Sequence, residues 1–297
     1  MMKNQIAGVY LEMDASRMAT KEPKYECLLF DLDDTLYPLS SGINLACRKN
    51  IQDFMLHQLQ IDETDVPRMC LELYKEHGTT MAGLKASNQT ISILTPFFTL
   101  FGISLYQVLG YEFDNDEFHA CVHGTLPYHK LKPDPVLRNL LLSMPQRKII
   151  FTNSDEAHTA EALKRLGLED CFDGVICFET LNPSPLLAAT AEAKPPSSTT
   201  RILCKPSVEA IKAAIRIADV DPQKTIFFDD STRNIASGKL AGLHTVIVGS
   251  SVLVQGADYA LSSIHNIREA IPEIWADETQ QQEQVIQSTS VETLVLA

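Results

Sequence analysis

The sequence predicts an α/β protein: a Rossmann-like, doubly wound parallel sheet core with an inserted α-helical cap domain. Three observations predict it. Three apolar runs of strand length each end in a cluster of acidic or hydroxylated residues. Helical apolar stripes separate the later runs, and a long stretch between the first two runs carries helical patterns only. Continuous apolar runs suit strands buried on both faces of a parallel sheet, and alternating helices supply the crossovers such a sheet requires.

Taken in order, the first run is Cys27-Leu28-Leu29-Phe30, followed by Asp31-Leu32-Asp33-Asp34-Thr35. The second is Ile149-Ile150-Phe151, followed by Thr152-Asn153-Ser154-Asp155, and the third is Ile226-Phe227-Phe228, followed by Asp229-Asp230-Ser231. After the second run, Ala157, Ala160, Leu163 and Leu166 recur at helical spacing, with Gly167 placed to stop the helix. Val208, Ile211, Ile215 and Ala218 form another stripe, with Pro206 near its start. Ile235, Ala236, Leu240 and Ala241 then lead through Gly242 to a fourth strand, Thr245–Val248. Between Leu39 and Met144, Cys47, Ile51 and Phe54 mark one helix face, and Met69, Leu73 and His77 another. The expected organisation is a loose leader over 1–24, an α/β core over 25–40 and 128–276, a helical cap over 41–127, and a flexible tail over 277–297. Pro183 to Thr200, rich in Pro, Ser, Thr and Ala, reads as an exposed loop.

Composition excludes several classes. A length of 297 residues, 45% hydrophobic and 21% charged, is ordinary for a globular protein. The formal charge of −13 argues against nucleic acid, whose binding needs basic patches. The seven cysteines are odd in number and contain no C-x-x-C pair, which reads as reduced thiols and no zinc site. No secretory or transit signal is evident before Lys24, so the expected location is cytoplasmic.

In an open α/β sheet, ligands bind beyond the carboxyl ends of the strands. The three polar clusters all fall at such ends, so Asp31, Asp33, Asp34, Asp229 and Asp230 would crowd one rim. Two like charges about 4 Å apart repel by roughly 4 kcal/mol at an effective dielectric of about 20. A bound Mg²⁺, which prefers hard oxygen ligands, would relieve that repulsion. Lys205, ahead of a helix, is the second positive charge.

These elements resemble the haloacid dehalogenase superfamily. Asp31-Leu32-Asp33-Asp34-Thr35 is similar to its D-x-D-x-T loop, Thr152 to its strand-end Thr or Ser, Lys205 to its lysine, and Asp229-Asp230 to its closing acidic pair. One D-x-D-x-T alone is weak, since Asp is common in turns and caps; four elements in family order, from about Lys24 to Trp275, are specific. The resemblance implies that Asp31 is the nucleophile, forming an aspartyl-phosphate. Asp33 would protonate the leaving oxygen and later activate water, with its pKa raised by neighbouring carboxylates. Mg²⁺ would be held by the Asp31 carboxylate, the Asp33 main-chain oxygen, and Asp229 or Asp230. Thr152, the Asn153 main chain and Lys205 would grip the phosphoryl oxygens, with Thr35 and Asn234 in support. Dehalogenases of the superfamily lack an aspartate two positions after the nucleophile, because halide needs no proton; Asp33 therefore disfavours that activity.

A finer resemblance joins Asp31 to Tyr37, Pro127-Tyr128, Phe151 to Asp155, Cys177-Phe178-Glu179-Thr180 and Lys205-Pro206 to the pyrimidine 5′-nucleotidase branch. It implies a nucleoside monophosphate as substrate, with sugar phosphates and other small phosphomonoesters left open. A non-catalytic phospho-ligand-binding regulator is the alternative of another class. The sequence sets no oligomeric state. His119 and His123, four apart, lack a third ligand for zinc in the sequence pattern. Ser87 to Tyr111 is charge-free and about long enough to cross a bilayer. A crossing there would separate Asp31 from Thr152, so no membrane is expected. In related sequences a segment like Lys85-Ala86 passes almost directly to one like Gly110-Tyr111-Glu112-Phe113. Residues 87–110 are therefore expected to be an insertion, of the kind a retained intron or a gene-model error leaves.

Overall fold

The computed structural model describes residues 24–86, 111–183 and 201–275. The leader to residue 23, the tail, the Pro-rich stretch from 184 to 200 and the segment 87–110 lie outside the described residues. Six parallel strands form one sheet: β1 Cys27–Phe30, β2 Arg147–Phe151, β3 Gly174–Ile176, β4 Thr225–Asp229, β5 His244–Val248 and β6 Tyr259–Leu261. Their order is β3-β2-β1-β4-β5-β6. The four strands expected from apolar runs are β1, β2, β4 and β5. The two outermost strands, three residues each, were not foreseen, because runs that short carry no period.

β1 is fully buried along its length because both faces of the sheet are covered. Leu28 and Phe30 enter one core with Ile150, Ile226, Phe228 and Val246. Cys27 and Leu29 enter the other with Ile149, Phe151, Phe227 and Ile211. Four helices, α1 Ile43–His57, α2 Val66–His77, α3 Thr80–Ala86 and α4 Asn115–His123, are inserted between β1 and β2. They close a third core around Phe54, Met55, Cys70, Leu73, Leu84, Phe118 and Val122. Phe178 joins that core from α7, Phe178–Leu181, tying the helical unit to the sheet.

The remaining helices flank the sheet. α5, Pro135–Leu142, and α6, Glu156–Leu166, cover the first face, while α8, Val208–Ala218, covers the second. α9, Thr232–Leu240, lies so close to β4 that a Cβ on Gly238 would meet the Phe227 ring at 2.8 Å; only glycine fits there. α10, Ile267–Ala270, closes the described chain with a short turn after it. Gly167 ends α6 as expected, in the left-handed conformation at φ 68°.

One local expectation is corrected. The buried face of α6 is His158, Thr159, Ala162, Leu163 and Leu166, whereas Ala157 and Ala160 are exposed. Alanine is a poor marker of a face because it is tolerated on either side. Pro206 stands near the start of α8 as expected, with Ser207 at the N-cap position. All seven cysteines are free, five of them buried, with Cys47 half-buried and Cys121 exposed.

The edges of the segment 87–110 meet. Tyr111 N–H donates to Leu84 O at 3.1 Å, and Lys85 Nζ donates to Phe113 O at 2.8 Å. If Ala86 were joined directly to Tyr111, the Leu84–Tyr111 bond would become an i→i+3 bond closing the last turn of α3, a common helix ending. A chain lacking 87–110 is therefore expected to fold, with a melting temperature within about 4 °C of the full chain or above it. Circular dichroism melts of both chains test this. Loss of cooperative unfolding in the shortened chain would contradict it. Among the described residues no helix is long and apolar enough to cross a membrane.

Candidate active site

β1, β2 and β4 are neighbours and end level: Phe30 is in register with Ile150 and with Phe228. The residues that follow leave the sheet at one rim, where the strand order reverses direction around β1. Asp31 N–H still donates to Phe228 O at 2.9 Å, so the carboxylate starts from a fixed backbone.

Lys205 reaches this point from the segment before α8 and is 1% exposed. Its ammonium donates to Asp31 Oδ1 at 2.7 Å, Asp229 Oδ2 at 2.8 Å and Phe151 O at 2.7 Å. All three protons are thus committed. Burial alone would lower its pKa, but Asp229 and Asp31 outweigh burial and hold it well above the ordinary value. Asp31 is 6% exposed. Burial pushes its carboxyl well above the usual range; Lys205 opposes this, while Asp229, Asp230 and Asp33 add to it. Thr35 Oγ1 donates to Asp31 Oδ2 at 3.0 Å.

Asp229 is fully buried. Asn234 Nδ2 donates to both its oxygens, at 2.9 and 3.0 Å, and Ser231 N–H to Oδ1 at 2.8 Å. Asp230 beside it is pushed up to about 7 by burial, then by Asp229 and Asp34. Asp34, at φ 60°, accepts from Asn44 Nδ2 at 2.7 Å through Oδ2, while its buried Oδ1 has no partner. Asp31, Asp229 and Asp230 each offer an oxygen, all within 4.8 Å of one another. Asp31 and Asp230, both held up in pKa, form with Asp229 an all-oxygen donor set suited to a hard cation.

Thr152 is buried, and its Oγ1 accepts from Ser154 N–H at 3.0 Å. Asn153 turns its side chain onto the Lys205 main chain, donating to Lys205 O at 3.0 Å and accepting from Lys205 N–H at 2.8 Å. It therefore fixes the segment that delivers the ammonium.

The expected raised pKa of Asp33 is corrected. Burial would raise it, but His158, Tyr37 and Ser154 all donate to the carboxylate and hold it well below the usual range. His158 Nε2 lies 2.7 Å from Oδ1, Ser154 Oγ donates to Oδ2 at 2.8 Å, and Tyr37 donates to Oδ1. His158 is 2% exposed and its Nδ1 pairs with Tyr128 OH at 2.8 Å. Burial would push His158 down, yet Asp33 and Asp155 more than offset that, leaving its pKa raised. The proton of the pair rests on the imidazole.

His158 was missed from the sequence, and Tyr37, Ser154 and Tyr128, named there within motifs, were given no role. The available signal was a histidine at a core-facing position of α6, once the correct face is read.

His158→Gln is expected to keep a hydrogen bond to Asp33 but remove the charge. kcat should fall by about 10²-fold, the lower end of what positioned proton transfer contributes, with KM little changed. The pair also links stability to pH. Asp33, lowered on folding, stabilises fully above about pH 3.9, and this fades as pH falls through its folded value. His158, raised on folding, stabilises fully below about pH 6.5, and this fades as pH rises through its folded value. Thermal melts of the variant should show a weaker fall on both sides. An unchanged kcat would remove His158 from the machinery.

A haloacid dehalogenase-like hydrolase family model matches residues 25–242. Phosphate metabolism protein 8 of Saccharomyces cerevisiae is 23% identical over 248 residues, covering 80% of this chain and 66% of that protein. The chain thus spans slightly under two thirds of this curated relative. Among solved structures, a HAD phosphatase from Thermococcus onnurineus aligns at 19% identity and TM-score 0.48, over 82% of this chain and 96% of that one. CbbY from Rhodobacter sphaeroides, in complex with phosphate, aligns at 16% identity and TM-score 0.49, over 82% and 96% respectively.

Proposed function

The chain belongs to the haloacid dehalogenase-like hydrolases, and on that premise we propose that it is a phosphomonoester hydrolase working through an aspartyl-phosphate on Asp31. The observation that carries this reading is one buried carboxylate held by Lys205 and Thr35 at a strand end, with Asp33 two positions on. Attack by an Asp31 oxygen on phosphorus expels the alcohol, which takes a proton through Asp33. Water, deprotonated by Asp33, then attacks phosphorus and releases inorganic phosphate, regenerating the Asp31 carboxylate. Because Asp33 is ionised at rest, its proton is supplied by His158, whose imidazolium Nε2 faces Asp33 Oδ1. Lys205 keeps Asp31 and Asp229 together and offsets charge gathering on the phosphoryl oxygens, with Thr152 and the Asn153 main chain beside them.

The donor set fits Mg²⁺. Asp31, the Asp33 main-chain oxygen, and Asp229 or Asp230 would hold it. When bound it supplies charge neutralisation and orientation of the phosphate ester.

For the substrate we favour a pyrimidine nucleoside monophosphate. A cavity of about 520 Å³ is lined by Asp33, Ser154 and His158 from the sheet side and by Asn44, Arg48, Gln52 and Phe118 from the helical unit. That volume is in the range of sites for nucleotide-sized ligands. The polar row Asn44, Arg48 and Gln52 falls at successive turns of α1, suited to reading a base or sugar. The test is release of inorganic phosphate from uridine and cytidine monophosphates, purine nucleotides and sugar phosphates, with and without Mg²⁺. Preferential release from the pyrimidine nucleotides in Mg²⁺ is expected. Preference for a sugar phosphate would overturn the substrate assignment alone, and failure on every ester would overturn the phosphatase reading.

A further inference from the structure

His119 is 94% buried, being 6% exposed, yet neither ring nitrogen has a partner. An unpaired buried imidazole gives up hydrogen bonds to water for nothing in return, so its environment invites a ligand. His123 follows one turn later on α4, and the two rings stack at 5.4 Å. From the sheet side comes Asp155, the N-cap of α6, 6% exposed, with Oδ1 2.6 Å from His123 Nδ1. The sequence pattern held no third ligand for the histidine pair; the fold brings one from 32 positions beyond His123.

We propose that His119, His123 and Asp155 form a second metal centre, selective for a borderline transition ion such as Zn²⁺ or Co²⁺, that clasps the helical unit to the sheet domain. Each residue offers one ligand atom, and these atoms lie within 4.8 Å of one another. The donor set is two imidazoles and one carboxylate, which suits such ions, whereas the all-oxygen set of Asp31, Asp229 and Asp230 suits Mg²⁺. Three protein ligands leave a coordination position open, and both histidines line the cavity, so that position faces its solvent or ligand. Phe118 and Phe178 pack edge-on against His119 at 5.7 and 4.5 Å, giving the centre a water-poor wall. Burial lowers the His119 pKa to about 4, so the ring is neutral and ready to ligate near pH 7. Binding replaces the His123–Asp155 hydrogen bond with two bonds to the ion and releases any proton that bond holds. Two ligands come from α4 and one from α6, so the ion joins a helix inserted after β1 to the helix that follows β2. This inference does not depend on the phosphatase reading.

The test is titration of the full chain, freed of metal by a chelator and then held in excess Mg²⁺, with Co²⁺. One equivalent should develop the visible d–d absorption of a low-coordinate, imidazole-bound cobalt ion, far stronger than that of cobalt in an octahedral oxygen site. The melting temperature should rise by several degrees on binding. His119→Phe retains a ring in the same packing, and Asp155→Asn retains a helix cap; each should weaken cobalt binding at least about tenfold. Circular dichroism of both variants without metal establishes that they are folded. If His119→Phe fails to fold, Asp155→Asn carries the test by itself. Absence of the band in the wild-type chain overturns the proposal, as does a band that persists unweakened in a folded variant. A wild-type chain with no band, whose His119→Phe variant raises KM alone, would make His119 a substrate contact and equally overturn it.

Discussion

Asp31→Asn is expected to abolish phosphate release, by on the order of 10⁴-fold or more, while leaving a folded protein. An amide cannot form the phosphoryl intermediate at a useful rate, and the other groups of such a site cannot substitute for the nucleophile. The fold should survive because Lys205 keeps Asp229 Oδ2 and Phe151 O as acceptors. One of several mutually repelling buried carboxylates is also removed, which relieves the pressure that raises their pKa values. The measurement pairs steady-state phosphate release with a thermal melt. A folded variant retaining wild-type turnover would mean that Asp31 is not the attacking group.

Lys205→Met should be the most damaging single change to stability. It strands Asp31 and Asp229 in a pocket walled by Phe151 and Phe227, whose ring centres lie 5.0 and 5.4 Å from the ammonium. Removing one partner of a buried ion pair costs about 3–5 kcal/mol, because the remaining charge stays buried without compensation. For a domain of this size that corresponds to a fall of roughly 6–20 °C in melting temperature. Mg²⁺ should recover part of the loss, since the same carboxylates can then share a cation. Lys205→Arg should not rescue activity, because a planar guanidinium cannot reproduce three donors converging from one nitrogen. Urea unfolding with and without Mg²⁺ measures the effect. A loss under about 1 kcal/mol would show that the carboxylates are neutral when the lysine is absent.

The strand ends were legible because two kinds of signal coincide there. β1, β2 and β4 are apolar on both faces, and each stops at a run of acids or hydroxyls that no buried sheet would otherwise carry. That was enough to bring Asp31, Asp33, Asp34, Asp229 and Asp230 to one rim on paper, with Lys205 added from its place ahead of a helix and from the resemblance; the fold sets Asp31, Asp229 and Asp230 together with Lys205 between the first two. What was not legible was the protonation of Asp33. Its state depends on Tyr37, four positions on, but also on Ser154 and His158, 121 and 125 positions away. The pattern of α6 concealed His158 further, since alanines at 157 and 160 imitate an apolar face on the solvent side. The role of Asn153 was hidden for the same reason: its partner is the main chain of Lys205, and main-chain partners leave no trace in sequence. The convergence of His119 and His123 with Asp155 likewise needs the helical unit docked on the sheet before it exists.

The order in which these groups are made has its own consequence. Asp31 directly follows the first strand of the sheet, and the lysine that compensates it is 174 positions later. At translation rates of about 5–20 residues per second, the aspartate emerges roughly 9–35 seconds before its counter-charge exists. For most of that interval the central strand also lacks both neighbours, since β2 is encoded only after the whole helical unit and β4 after Lys205. The nascent chain must therefore hold a strand that is buried along its whole length in the finished fold before there is a complete sheet to bury it.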